Sequence, residues 1–87
     1  MSFIQADPDE LDRYASTLRS IATTISTEAR KARSGVSGLG NFRGRERDRL
    51  ERDVSDASRG IENAAKVLEQ HAQSLRSFSS QIRNLKR

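Results

Sequence analysis

Apolar residues recur three and four apart along two long stretches of this chain, and a glycine-rich break lies between them. The first stretch runs Leu11, Ala15, Leu18, Ala22, Ile25, Ala29, Ala32, Val36, Leu39. The second runs Leu50, Val54, Ala57, Ile61, Ala64, Leu68, His71, Leu75, Phe78, Ile82, Leu85. A mean spacing of three and a half residues is the seam of α-helices that pack along their length, not the alternation of a strand. The chain therefore reads as all-α: an antiparallel two-helix hairpin.

The local signals set the expected bounds. Asp7-Pro8-Asp9-Glu10 offers a capping carboxylate, a proline at the first helical position and a glutamate placed to close a capping box. Helix one is expected over about 8–34, roughly 40 Å at 1.5 Å per residue. Gly35, Gly38, Gly40 and Asn41 tolerate a left-handed backbone, so residues 35–42 are read as the turn. Helix two follows over about 43–84. Its first half interleaves Arg43, Arg45, Arg47, Arg49 and Arg52 with Glu46, Asp48, Glu51, Asp53 and Asp56. Exposed pairs of this kind, such as Asp48 with Arg52, contribute about 0.2–0.5 kcal/mol each.

Folding the chain about residue 40 pairs positions whose numbers sum to about 80: Ile25 near Val54, Leu18 near Ile61, Leu11 near Leu68. In that register helix one runs out opposite residue 72; Phe3 and Ile4 are placed to cover Leu75 and Phe78, which leaves Ile82 and Leu85 with no partner within the chain. Tyr14 and Ile21 form a second apolar stripe beside the first seam. A chain of 87 residues without cysteine has neither a large core nor a disulfide to hold it. Pairing two hairpins into a four-helix bundle would cover both stripes. The expected bundle and dimer interface comprises Leu11, Tyr14, Leu18, Ile21, Ile25, Leu50, Val54, Ile61, Leu68, Leu75, Phe78 and Ile82.

Other chemistries find little footing. His71 is the one histidine and has no second ligand near it in sequence, so it reads as a seam or partly exposed residue. The run Gly38-Leu39-Gly40-Asn41-Phe42-Arg43-Gly44 follows a helix and lacks the Gly-Lys-Ser/Thr ending of a phosphate loop. No catalytic, metal or cofactor residues are assigned, and no small-molecule substrate is expected. The formal net charge of +4 raises a nucleic-acid reading. The arginines of 43–52 are matched by neighbouring acids, however, and only the segment from residue 70 onward is unopposed. A membrane-surface role would need the same apolar stripe that the bundle uses. The first residues show neither a basic head nor an apolar core of a signal peptide. The expectation is a chain made in the cytoplasm which, if exported, leaves by a route that reads no such signal.

Met1-Ser2-x-Ile4, then Asp7-Pro8-x-Glu10-Leu11, a long helix, and Phe42-Arg43-Gly44 at mid-chain together resemble the WXG family of small bacterial type VII secretion proteins, the ESAT-like proteins. The family carries Trp-x-Gly at the turn between two long antiparallel helices. Here Phe42 stands for the tryptophan and Gly44 matches the glycine, while Glu46 and Leu50 replace the small residue and the aromatic that usually follow. The resemblance implies a helical dimer, with an identical chain, another such hairpin or a helical effector domain, and an association with the secretion machinery. Family members that direct their own export carry Tyr-x-x-x-Asp/Glu after helix two. This chain has no tyrosine after Tyr14 and no acid after Glu69. What the resemblance then implies is either a secreted substrate that relies on another chain's signal or the partner or chaperone subunit of a secreted effector. The rival reading is a cytosolic helical adaptor or basic nucleic-acid-associated protein unrelated to secretion.

Overall fold

A computed structural model describes residues 6–39 and 43–85. They form two α-helices, α1 (Pro8–Ser37) and α2 (Arg45–Leu85), packed side by side in opposite directions, with no strand among the described residues. The 41 residues of α2 account for the 65 Å length of the molecule. Phe42, with Gly40 and Asn41, lies outside the described residues, as do Phe3 and Ile4.

The start of α1 follows the local sequence. Asp7 is extended, and its Oδ1 accepts the Asp9 N–H at 2.9 Å, with Pro8 in the first helical position. The end of α1 lies three residues beyond the expected one, because Gly35 stays helical. Gly38 closes the helix in a right-handed conformation (φ −78°, ψ −6°), not a left-handed one. Its N–H donates to the Ser34 and Gly35 carbonyls, and the Leu39 N–H donates to Val36, so the last turn tightens to three-residue hydrogen bonds. The glycine that does need its freedom is Gly44, at φ +90°. Its carbonyl accepts the Asp48 N–H and opens α2 at Arg45.

The register differs from the expected one by seven residues. The Ser58 hydroxyl donates to the Ala29 carbonyl, and the Ser79 hydroxyl donates to the Pro8 carbonyl. Ala15 and Ala72 share one buried cluster. Each of these pairs sums to 87, not to 80. A slip of one heptad turns the same helix faces toward each other, so periodicity alone cannot distinguish the two registers. Side-chain size can. At 87, Ala15, Ala22 and Ala29 meet Ala72, Ala65 and Ser58; at 80, Ala29 would meet Glu51.

The buried line on α2 is accordingly not the one its apolar residues suggest. Ser58, Ala65, Ala72 and Ser79, seven apart, are buried, whereas Ala57, Ala64, His71 and Phe78 are exposed. On α1, Ala15, Leu18, Ala22, Ala29 and Val36 are buried and Ala32 is exposed, as is Leu39 beyond its end. Small side chains on both helices let the backbones approach until a serine hydroxyl of one reaches a carbonyl of the other. Those hydroxyls are thereby satisfied inside the seam, as a buried donor must be. The shift also moves the start of α1 from opposite residue 72 to opposite residue 79. Ile82, expected to have no partner within the chain, is fully buried as a result, while Leu85 remains 61% exposed.

Candidate interaction surface

Residues seven apart on a helix fall nearly in line, so each helix can be read as columns. On α1 the small column Ala15, Ala22, Ala29 is flanked by Leu11, Leu18, Ile25, and beyond these lie Tyr14 and Ile21. On α2 the small column Ser58, Ala65, Ala72, Ser79 is flanked by Val54, Ile61, Leu68, Leu75, Ile82, and beyond these lie Ala57, Ala64, His71, Phe78, Leu85. The small columns face each other and close the hairpin. The large columns come to lie side by side on one face, covered on their inner edge only.

The result is a hairpin with two unlike faces. On one, Tyr14, Leu18, Val67, Leu68, His71 and Leu75 line a shallow groove between the helices. Tyr14 is 57% and Val67 49% exposed there, and Ile21, Ile61, Phe78 and Leu85 are exposed along its length. Scattered surface hydrophobics are ordinary; a continuous row of large ones marks a contact surface. The opposite face carries a polar groove lined by Arg19, Lys66, Glu69, Gln70, Gln73 and Arg76, with the Arg76 guanidinium donating to the Ser16 hydroxyl.

Of the residues expected at a bundle interface, Leu18 and Ile82 are buried within the chain, and Leu11, Ile25, Leu50, Val54, Leu68 and Leu75 are half-buried. Tyr14, Ile21, Ile61 and Phe78 are exposed. Gly44 sits at the start of α2, where its positive φ excludes other residues without strain. His71 is exposed, and its Nδ1 lies 3.0 Å from the Val67 carbonyl. Val67 belongs to this surface although neither apolar run includes it. Its signal was its position, four before His71 and three after Ala64.

One end of the hairpin is fastened by charge. Arg83 reaches across from α2 to Asp9 and Asp12 of α1, at 2.8 Å each, and also donates to the Ser79 hydroxyl. Nearer the turn, Arg33 pairs with Glu62 across the helices. The hydrogen bond from Arg83, together with its positive charge, holds the Asp12 carboxyl below the ordinary carboxylate range. A carboxylate depressed in the folded state adds stability that is present above its unfolded pKa and is lost as pH falls through the folded one. The hairpin is therefore expected to lose thermal stability as pH drops below about 4. In Arg83→Ala that acid loss should shrink, which a series of melts between about pH 5 and 2 will read.

No membrane-spanning helix occurs among the described residues. Comparison of the chain with protein-family models, curated proteins and solved structures returned no match.

Proposed function

We propose that this protein is a non-enzymatic, WXG-like partner subunit of a bacterial type VII secretion system, which covers its apolar face with a second helical molecule and travels with, or escorts, an exported protein. The observation that carries the reading is the face itself: a row of large side chains along two long antiparallel helices, left half-covered by the chain's own fold. The break between the helices, with Phe42-Arg43-Gly44, adds the family resemblance. Its work is to present surfaces rather than to catalyse. One side is apolar and shared with the mate, and the ends of the resulting bundle are offered to the secretion machine.

Co-purification with the products of adjacent genes tests this. The expected result is a co-eluting helical protein that bears the Tyr-x-x-x-Asp/Glu tail, or recruitment to a secretion ATPase. Phe42→Ala should leave helicity unchanged and lower that recruitment about tenfold or more, the loss of about 1.4 kcal/mol. Unchanged recruitment would favour the adaptor reading. The polar groove with Arg19, Lys66 and Arg76 supports a nucleic-acid role. Retention on duplex DNA that falls steeply with salt would establish that alternative.

A further inference from the structure

On the polar face the helices are joined by a ladder of charged side chains, and one of its rungs has the wrong sign. Two ion pairs that cross the hairpin, Asp12 with Arg83 and Arg33 with Glu62, join positions whose numbers sum to 95. Heptad steps along both helices place two further rungs between them: Arg19 with Arg76, and Ser26 with Glu69. The outer rungs close on opposite charges at 2.8 Å. The Arg19 rung sets cation against cation, and the Ser26 rung leaves Glu69 with no cation across from it.

The side chains respond accordingly. Arg76 turns to the Ser16 hydroxyl, a neutral acceptor at 3.4 Å. Among the described residues Arg19, Lys66 and Glu69 form no ion pair. Arg19, Arg76 and Lys66 instead line one groove with Glu69, Gln70 and Gln73. Three cations against one acid leave that groove with a surplus of two positive charges. All six residues are exposed, so a ligand can reach them.

We infer that this groove docks an acidic segment of a partner protein, with one of its carboxylates completing the rung of Arg19 and Arg76. The inference goes beyond the reading above and uses the face opposite the apolar one, so both can be occupied together. A carboxylate has about four lone-pair sites and can accept from two guanidinium groups at once. Gln70 and Gln73 add amides that both donate and accept, as a peptide backbone requires. A nucleic acid fits less well. Its phosphates repeat along the strand, and this face would meet them with Glu69 in the groove, Glu62 to one side and Asp9 and Asp12 to the other. The arginines beside those outer acids, Arg33 and Arg83, are already engaged. The lining of the groove holds no aromatic ring on which a base could stack. A protein segment can place one acid at the open rung and a neutral residue beside Glu69.

The probe is a fluorescein-labelled decapeptide of alternating glutamate and glycine, titrated with the full chain in about 0.1 M salt and followed by anisotropy. Saturable binding in the submillimolar range is expected. Arg76→Gln should weaken it about tenfold, the loss of one charge-assisted contact, and Glu69→Gln should tighten it. Arg59→Gln removes the same charge about 16 Å along α2 from Gln70, beyond the screening length of about 10 Å, and should change affinity less than about twofold. Arg19→Glu completes the ladder from within, so peptide binding should be lost while the melting temperature rises by a few degrees. All four positions are exposed, so the variants should keep the helical fold. Absence of binding, equal losses in Arg76→Gln and Arg59→Gln, or undiminished binding in Arg19→Glu would overturn the inference. So would duplex DNA that displaces the peptide at lower concentration than unlabelled peptide does and loses affinity in Arg76→Gln. Co-elution with an exported partner by a chain whose groove ignores the peptide would overturn it and leave the proposed function standing. Peptide binding by a chain with no tie to secretion would support it and remove the proposed function.

Discussion

Ala29→Leu is expected to unfold most of the hairpin, whereas Ala32→Leu, the same change three residues on, leaves it intact. Both alanines stand in the apolar run of α1, and both substitutions have the same helix propensity. Ala29 is buried, and its carbonyl receives the Ser58 hydroxyl, so the α2 backbone stands against it. Leucine adds three heavy atoms at a point with no free volume, and the helices can admit them only by separating along the seam. Overpacking costs about 1–3 kcal/mol in a large core that can share the strain. Here the seam is one layer of small residues, and a two-helix unit has only a few kcal/mol in reserve. We expect a loss of about 3 kcal/mol or more for Ala29→Leu and within about 0.5 kcal/mol for Ala32→Leu, which points to solvent. Urea titration followed by circular dichroism measures both. Equal losses would mean that the small-residue seam is not what closes the hairpin.

Placing one acid on the open face is expected to disperse the proposed assembly. In Val67→Glu the new carboxylate sits at the rim of the groove with Tyr14, Leu68 and His71, whose lining holds no lysine or arginine. Burying an unpaired charge costs several kcal/mol. Even about 3 kcal/mol lowers affinity more than a hundredfold. The mass in sedimentation should fall to that of one chain. The melting temperature, which in an assembly rises with protein concentration, should drop and cease to depend on it. Gln73→Glu adds the same charge to the opposite face, beside Arg19, Lys66 and Arg76. It should change neither quantity. A matched response to both variants would show that net charge, not the apolar face, governs association.

The all-α hairpin is written openly in the chain. Apolar spacing of three and four identifies two helices, Asp7-Pro8 begins the first, and the glycine-rich break separates them. These are local signals, and local backbone preference is enough to act on them. The presence of a half-covered apolar face was legible too, since Tyr14 and Ile21 stand beside the main run. Which residues form the inner seam was not. Hydrophobicity ranks Ala57, Ile61, Ala64, Leu68 above Ser58 and Ser79, yet the serines are inside. Their column, Ser58-Ala65-Ala72-Ser79, is marked by size and by the heptad interval, which a search for apolar residues passes over.

From the amino acids alone come the two helices, their antiparallel pairing and the surplus of apolar surface, because each depends on neighbours three, four or seven residues away. Register is different in kind. Sliding one helix past the other by seven residues preserves every face and changes only which side chains meet, so the choice rests on steric fit across the seam. Only the packed pair could decide it. It set alanine against alanine, turned two serine hydroxyls onto facing carbonyls, buried Ile82, and left Ile61, Phe78 and Leu85 outward.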